Sequence, residues 1–186
     1  MSSLVLMASC ANAGIGSGDQ PTPDAPRTPD AAIHPNPPPP PMNVCPSADT
    51  CEAATTLGTV SGDTDSTTLT ATGYRSAWFR VRVTEDYNDI FSGSKLRVSA
   101  KLTSPAAVDF DVFVYVNAGS DSVECTTTVG TPTTNGTVNE TRVQWGEGAD
   151  PNGVRDDRDV SIEVRPISGA CAPNLMWQLA VEGNWD

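Results

Sequence analysis

The chain has 186 residues, a net charge of -12 and only 6% aromatic residues. This charge argues against binding to nucleic acid or to an anionic membrane surface, because both partners require Lys and Arg. The length allows one ordinary domain, with or without a disordered segment. Thr, Val, Ser, Asp and Gly are abundant. This mixture favours short strands and turns, since β-branched side chains lose rotamer freedom in a helix.

The N-terminus carries a short apolar run, residues 4–7, which ends in small residues and Cys10. This order resembles the lipobox of bacterial lipoprotein signal peptides, in which a Cys after small residues is lipidated and becomes the mature N-terminus. The resemblance implies that residues 1–10 are a signal-peptide remnant with a lipidated Cys10. The run is short and no Lys or Arg precedes it, so we expect the true start codon to lie upstream. The alternative is a buried N-terminal strand with a free thiol.

The resemblance also implies a location. An exported lipoprotein is held at a membrane by its lipid anchor, so we expect the protein in the cell envelope. Ala11, rather than Asp, follows Cys10. By resemblance to enterobacterial sorting, this residue implies the outer membrane.

Residues 11–42 are rich in Pro, with Gly, Ser, Asp and Ala, and end in the run Pro37–Pro41. Proline at this density removes backbone donors, so no packed core can form. The composition predicts a disordered tether, partly an extended polyproline spacer of about 3.1 Å per residue. We therefore expect the folded domain to comprise residues 43–186. His34, the only histidine, lies in the tether.

Four cysteines remain once Cys10 is assigned to the lipid: Cys45, Cys51, Cys125 and Cys171. An even number in an exported chain favours two disulfides. Of the three pairings, we expect Cys45 with Cys51, closing a small loop, and Cys125 with Cys171, joining distant segments. A zinc site is less favoured, because CxxC-like spacing and histidines are both missing from this region.

Alternation of apolar and polar residues predicts a series of strands, while residues 45–56 are expected to hold a turn or one short helix. The first strand is expected at 67–72. The inward positions of the later strands are Ala77, Phe79, Val81, Val83; Leu96, Val98, Ala100, Leu102; Phe110, Val112, Val114, Val116; Val143, Trp145; Val160, Ile162, Val164; and Trp177, Leu179, Val181. Seven or eight strands without a helical period predict an all-β, antiparallel, jelly-roll-like β-sandwich.

Three of these strands carry a family resemblance. Residues 78–83, 109–116 and 177–181 resemble the aromatic-rich strands of the bacterial pre-peptidase C-terminal domain, over roughly 57–183. The family's usual Asp before the early aromatic strand is Ser76 or Ala77 here. The resemblance implies a jelly-roll-like accessory domain with a role in secretion or substrate binding, sometimes with bound calcium. Joined to a lipid tether without a peptidase, the layout looks like small surface lipoproteins of myxobacteria-like bacteria.

Catalysis is not expected from this sequence. Histidine-dependent schemes need an imidazole, and the predicted domain has none. The thiols are expected to be oxidised, which excludes a cysteine nucleophile. A carboxylate-based hydrolase remains open, because two facing acids would be enough.

The acidic loop before the strand at 160–164 is a candidate calcium site, since oxygen ligands alternate around a glycine turn. Its candidate ligands are Asp150, Asn152, Asp156, Asp157 and Asp159, which Asp109 and Asp111 could join from a neighbouring edge. The alternative is a solvated turn in which Arg155 and Arg158 pair with the acids.

Aromatic residues off the predicted core face are the other candidate site. Trp78, Phe113 and Tyr115 would form an exposed row suited to stacking on sugar rings. Alternatively, these rings lie under a loop or on a strand buried on both faces. The sequence favours a non-catalytic cell-envelope lipoprotein that presents a module binding polysaccharide or a surface protein. The alternatives are a self-assembling envelope component and a carboxylate-based hydrolase.

Overall fold

The computed structural model describes residue 45 and residues 49–64, 67–87, 94–132, 136–146 and 155–185. The chain divides into two units, Met1–Pro40 and Pro41–Asp186, and all the described strands belong to the second. Cys10 and the predicted tether at 11–42 lie outside the described residues. Within the described ranges, no helix is long and apolar enough to cross a bilayer.

Eight strands are described, and they form two sheets of four. Their bounds are β1 Thr55–Ser61, β2 Thr68–Gly73, β3 Ala77–Thr84, β4 Leu96–Thr103, β5 Asp109–Tyr115, β6 Val138–Trp145, β7 Arg158–Ser168 and β8 Trp177–Gly183. Sheet A has the order β1-β3-β7-β5, and sheet B has the order β2-β8-β4-β6. Odd-numbered strands lie in one sheet and even-numbered strands in the other, so each connection crosses the sandwich.

The predicted all-β sandwich is confirmed, with one correction to strand direction. All pairs are antiparallel except β1 with β3, which run parallel, so sheet A is mixed. Two strands that are consecutive in one sheet can run parallel only if the chain crosses over between them. Here the chain crosses through β2 in the other sheet, a step that strand periodicity does not reveal.

The core lies between the sheets and is built from the alternate positions that the sequence predicted. Phe110, Leu96, Leu102 and Ile162 have no solvent exposure, and Trp177 is 1% exposed. The inward rows of β3, β4, β5, β7 and β8 all belong to this one core. Period-2 alternation therefore identified five strands correctly, because one face of each strand is buried.

The sequence missed β1. The turn expected at 45–56 is present at 51–53, but the strand that follows it, from Thr55 to Ser61, was not predicted. Val60 is its only buried residue, and Gly58 lies at an irregular point in its pairing with β3. An edge strand with mostly exposed threonines and a bulge shows no apolar period, so the pattern could not reveal it.

β6 is longer than predicted because two of its inward residues are polar. Asn139 and Thr141 are fully buried and donate hydrogen bonds to the carbonyls of Phe110 and Val112, both at 2.8 Å. These bonds satisfy two carbonyls on the outer edge of β5, which pairs with no other strand of sheet A on that side within the described residues. These two buried side chains thus hydrogen-bond the edge of sheet A to sheet B.

All four domain cysteines form disulfides, but the expected pairing is wrong. Cys45 bonds to Cys171, and Cys51 bonds to Cys125. Cys51 precedes β1 and Cys125 follows β5, and these are the two outermost strands of sheet A. The second disulfide therefore joins segments from opposite edges of the sheet. We call this bond and its flanking segments, 49–54 and 117–130, the belt.

Candidate binding surface

The three predicted aromatic residues lie together on the outer face of sheet A, but they do not form an exposed row. The rings of Trp78 and Tyr115 are 5.1 Å apart between centroids. Tyr115 is only 3% exposed, whereas Trp78 and Phe113 are half-buried. The expectation of three exposed stacking rings is therefore wrong for Tyr115, which packs beneath its neighbours.

Tyr115 is part of a hydrogen-bonded network with two charged residues of β7. Its hydroxyl donates to Glu163 Oε2 at 2.6 Å and accepts from Arg165 Nη2 at 3.3 Å. Arg165 also pairs with Glu163 at 2.6 Å and lies over the Phe113 ring, 4.3 Å from its centroid. Burial and the hydrogen bond to Glu163 raise the pKa of Tyr115 to about 12. The polar groups of these three residues are therefore bonded to one another, although a ligand on this face would need them as hydrogen-bond partners.

The belt explains why this outer face is buried. Arg80 of β3 donates from Nη2 to the carbonyl of Cys51 at 2.7 Å, which places the belt against the sheet. Ser161, between Arg80 and Tyr115 in the strand register, is fully buried although it faces away from the core. Sheet A is thus covered on both faces near its centre.

Three of the five predicted calcium ligands in the acidic loop are described, and their carboxylates have protein partners. Asp150 and Asn152 lie outside the described residues. Asp156 Oδ1 accepts a hydrogen bond from Nη2 of the buried Arg158 at 3.0 Å. Arg158 also donates to the carbonyl of Asn117 at 3.1 Å, so this arginine ties the loop to the turn after β5.

Arg82 holds the other two described carboxylates of the loop. Its guanidinium nitrogens lie 3.6 Å from Asp157 Oδ2 and 3.5 Å from Asp159 Oδ1. Asp157 Oδ1 also accepts the backbone N–H of Glu85 at 2.7 Å. Arg82 lies closest to Asp121, at 2.6 Å, and this hydrogen bond lowers the pKa of Asp121. The described part of the loop therefore fits the ion-paired turn that the sequence left open, with Arg158 as one expected partner and with Arg82, which was not expected, as the other.

Asp109 and Asp111 lie far from the described end of this loop. The register of β5 places Asp111 opposite Arg165 and Asp109 opposite Ser168, at the far end of β7 from Asp159. At about 3.3 Å per residue, β7 separates the two groups by roughly 20 Å. Burial and the neighbouring Asp109 carboxylate raise the pKa of Asp111. This distance excludes a metal ion shared by Asp109 or Asp111 with Asp159, while their grouping with Asp150 and Asn152 stays a prediction.

Among the residues that the structure describes, no three His, Cys, Asp or Glu side chains are grouped to hold a metal ion. The calcium site at 150–159 stays a prediction, because two of its candidate ligands lie outside those ranges.

The outer face of sheet B is different, because it contains an open groove of about 450 Å³ across β2, β8 and β4. Strand register places its side chains in two rows, Thr70–Ala180–Lys101 and Thr72–Gln178–Thr103. Ala180 lies between longer side chains on both neighbouring strands. Its small side chain leaves the depression that the flanking residues line.

The polar side chains of the groove are exposed to solvent in the described part of the chain. The five are Thr70, Thr72, Lys101, Thr103 and Gln178, all exposed. Within the described ranges, none of them makes a side-chain hydrogen bond or ion pair. The groove therefore presents three hydroxyls, one amide and one ammonium group to solvent, in contrast to the outer face of sheet A.

A second cavity of about 330 Å³ lies at the turn between β2 and β3, and we call it the aromatic pocket. Phe79 and Trp177 form its inner wall and Tyr74 lies at its rim, with Arg75 and Asp49 also in its lining. Trp177 Nε1 donates to the carbonyl of Arg75 at 2.9 Å, so the indole is fixed.

Gly73 is necessary for this arrangement of the pocket wall. A Cβ at Gly73 would lie 2.4 Å from Cζ2 of Trp177, so no larger residue fits there without moving the indole. The absence of a side chain at the end of β2 therefore allows the ring to close the cavity from below.

Sequence reasoning missed both cavities. The groove residues are the polar positions of strands, which a period-2 pattern assigns to solvent without distinguishing one from another. Only the register shows that Ala180 lies between Thr70 and Lys101. One signal was readable: an alanine among larger outward residues marks a low point on a sheet face.

Comparison with known proteins gives a structural likeness but no family. No family model and no curated protein matches the chain. Among solved structures, the chain is similar to the pre-peptidase C-terminal domain of collagenase from Bacillus anthracis, with a TM-score of 0.39 and 11% sequence identity. That match covers 69% of this chain and 93% of the other chain. The β-sandwich itself is established by the strand pairing described above.

Proposed function

We propose that the protein is an exported lipoprotein whose β-sandwich is a non-catalytic module for binding polysaccharide in the groove of sheet B. In this proposal Cys10 carries the lipid and residues 11–42 form the tether. An extended tether of this length would reach on the order of 100 Å from the membrane. The sandwich would then sample ligands well away from its anchor, in the cell envelope and at the outer membrane.

The observation that carries the proposal is the set of five polar groove side chains that have no hydrogen-bond or ion-pair partner among the described residues. Thr hydroxyls and the Gln178 amide can each donate and accept a hydrogen bond. Neighbouring hydroxyls of a sugar also donate and accept, so the two sets are complementary. A protein ligand would instead favour an apolar centre with aromatic anchors, which the groove floor at Ala180 does not provide.

Two further observations support export and binding rather than catalysis. Both disulfides of the domain suit an oxidising compartment outside the cytoplasm. The only histidine of the sequence, His34, falls in the proposed tether, so imidazole-based acid–base catalysis has no source in the domain.

The test is a binding assay in which the groove is filled by substitution. We would measure binding of the full chain to a panel of immobilised linear polysaccharides, comprising neutral, uronate-bearing and sulfated members. Ala180→Phe places a ring on the groove floor, and Gln144→Phe adds the same ring on the same face outside the groove. We expect Ala180→Phe to weaken binding by at least about tenfold, with an unchanged melting temperature, and Gln144→Phe to bind as the parent does.

Two results would contradict the proposal. One is that no member of the panel binds the parent chain. The other is that Ala180→Phe binds as tightly as the parent, since a ligand in the groove could not tolerate the added ring.

A further inference from the structure

We infer that the Cys51–Cys125 disulfide is a redox-labile bond, which a dithiol reductant opens before it opens Cys45–Cys171. In this inference Arg80 favours the opening, because its charge stabilises the thiolate of Cys51, and the opened bond releases the belt from sheet A. The inference is independent of the groove in sheet B. It depends on the contacts of Cys51, on the access to each sulfur and on the segments that the bond joins.

Arg80 places a positive charge beside one sulfur of this bond. Its Nη2 donates to the carbonyl of Cys51 at 2.7 Å and lies 3.9 Å from Cys51 Sγ. The hydrogen bond to the carbonyl holds the guanidinium in this position. A cation next to a thiol lowers the thiol pKa by about one unit or more, since it stabilises the thiolate. Arg80 therefore stabilises Cys51 as the leaving group when the S–S bond breaks.

The acidic groups near the bond leave this positive charge effective. The pKa of the exposed Glu52 is lowered by a backbone hydrogen bond, by the Thr50 hydroxyl and, least of all, by Arg80, so Glu52 screens the guanidinium weakly. Glu124 Oε1 accepts the backbone N–H groups of residues 125–127. The Glu124 carbonyl lies 3.7 Å from Cys51 Sγ. This neutral dipole opposes a thiolate less than the full charge of Arg80 favours it.

The two sulfurs differ in access, and this difference sets the direction of attack. Cys51 is 5% exposed, whereas Cys125 is half-buried. A thiolate of the reductant attacks Cys125 Sγ and forms a mixed disulfide, and the electron pair of the broken S–S bond leaves on Cys51. The second thiolate of the reductant then closes the reductant's own disulfide and releases Cys125 as a thiolate. A leaving thiol of low pKa makes the first step faster.

Cys45–Cys171 is the matched comparison within the same chain. It too joins a buried cysteine, Cys45 at 8% exposure, to a half-buried one. Within the described ranges, no Arg or Lys side chain is hydrogen-bonded to either of its sulfurs. The two bonds therefore resemble each other in access and differ in the charge beside the buried sulfur.

Opening of Cys51–Cys125 would release the belt, because the remaining contacts are weaker than a covalent bond. Val129 donates a backbone hydrogen bond to the carbonyl of Val114. Arg82 pairs with Asp121 at 2.6 Å, but both side chains are partly exposed, so this ion pair contributes little. Reduction therefore replaces a covalently fixed cover on the outer face of sheet A by one that can open.

The test is graded reduction of the full, oxidised chain by dithiothreitol at neutral pH. Free thiols are blocked with N-ethylmaleimide and located by peptide mass mapping. Arg80→Gln removes the charge beside Cys51 but keeps a side chain that can donate to its carbonyl, and Arg80→Lys keeps the charge. Arg142→Gln removes an arginine from β6 in the other sheet, as the control for a change in net charge alone. Near-UV circular dichroism establishes that each oxidised variant is folded.

We expect Cys51 and Cys125 to be labelled at a dithiothreitol concentration at least about tenfold below that which labels the other pair. Arg80→Gln should remove most of this difference, whereas Arg80→Lys and Arg142→Gln should keep it. In the selectively reduced parent, the rate of Cys51 alkylation by iodoacetamide should follow a pKa at least about one unit below the ordinary thiol value of about 8.5. Amide hydrogen exchange of residues 126–130 should accelerate on this reduction, and that of β4 should not.

Three outcomes would overturn parts of the inference. If both bonds are reduced over the same range of dithiothreitol concentration, Cys51–Cys125 is not labile. If Arg80→Gln keeps both the selectivity and the low pKa of Cys51, the role of Arg80 is wrong. If hydrogen exchange in the belt is unchanged by selective reduction, the bond does not hold the belt on sheet A.

Discussion

Tyr115 shows how a single residue is built into the outer face of sheet A. Its ring packs on Trp78, its hydroxyl donates to Glu163, and Arg165 closes the network from β7. Glu163 is 8% exposed, so its carboxylate depends on these donors for the hydrogen bonds that water would otherwise provide. The tyrosine is therefore a structural residue of the domain.

Removing the hydroxyl should destabilise the fold without changing its shape. Tyr115→Phe leaves Glu163 with one donor fewer, so we expect the free energy of unfolding to fall by about 1–2 kcal/mol. Urea denaturation measures this value. Tyr74→Phe is the control, since the Tyr74 hydroxyl makes no hydrogen bond within the described part of the chain. If Tyr74→Phe lowered the free energy of unfolding by the same amount, the hydrogen bonds of Tyr115 would make no specific contribution to stability.

The raised pKa of Tyr115 predicts how the stability of the domain depends on pH in alkali. The folded state raises the pKa of Tyr115 to about 12, whereas an unfolded tyrosine titrates near 10. The folded state thus holds this proton more tightly. Its stabilising contribution is complete below about pH 10 and is lost as the pH rises from 10 to 12. Tyr115→Phe should lack that part of the loss, and absorbance titration should show one of the three tyrosines ionising late.

At the scale of elements, one edge and the outer face of sheet A are covered by segments that do not belong to the sheet. β6 satisfies the carbonyls along the edge of β5, and Val129 and Gly130 of the belt donate to the carbonyl of Val114 further along that edge. β5 therefore offers little free backbone for pairing with another chain. The belt also crosses the outer face and buries Ser161.

The belt should be distinguishable from the other disulfide by its effect on Tyr115. The two bonds close loops with sequence separations of 74 and 126 residues, so removal of either should cost on the order of 4 kcal/mol. We expect only the Cys51→Ala/Cys125→Ala variant to lower the pKa of Tyr115 towards 10, because the belt is bonded to Arg80, which lies in the same outward row as Ser161 and Tyr115.

The control is the Cys45→Ala/Cys171→Ala variant. Near-UV circular dichroism in cold buffer establishes that each variant is folded before the tyrosines are titrated. An unchanged pKa of Tyr115 in the folded Cys51→Ala/Cys125→Ala variant would show that the belt does not exclude water from the ring.

At the scale of the whole molecule, charge is distributed unevenly. The chain carries -12 overall, yet both of its lysines and Arg97 lie on or beside β4 in sheet B. The acidic side chains Asp121, Asp157 and Asp159 gather instead around Arg82, at the end of the sandwich where β7 begins. On the outer face of sheet B the two signs are mixed, because Glu140 and Glu182 occupy outward positions beside these basic residues.

The proposed lipid anchor also concerns the whole chain. When the chain is expressed from its own gene in its native cells, we expect the protein to enter the detergent phase on Triton X-114 partitioning. Cys10→Ser should leave the protein in the aqueous phase, since no other acylated residue is proposed. Ser9→Ala, which keeps a small residue before the cysteine, is the control. A Cys10→Ser protein that still partitions into detergent would show that the anchor lies elsewhere.

Much of the fold could be predicted from the sequence because the alternation of buried and exposed residues within a strand is a local pattern. Val81 and Val83 of β3, or Leu96 and Val98 of β4, show their common face through their spacing alone. β1 could not be predicted in this way, since its threonines are exposed at an edge. The inward Asn139 and Thr141 of β6 concealed half of that strand, because their partners are carbonyls of β5, 29 positions away in the chain.

The candidate site was predicted less well than the fold. Trp78, Phe113 and Tyr115 do share a face, as the alternation indicated. Their exposure depends on the belt, and thus on a cysteine pairing for which the sequence allows three choices. The groove at Ala180 depends on which strands are neighbours in sheet B, and the sequence does not state that order.

By itself, then, the sequence determined the all-β class, the inward face of most strands and the presence of two disulfides. These properties follow from residue spacing, composition and cysteine number, which are local or countable. Only the tertiary structure decided the strand order, the parallel β1–β3 pair, the disulfide partners and the open face of sheet B. Each of these is a contact between residues distant in the chain, and the core packing and backbone hydrogen bonds that select one register act only when those residues meet.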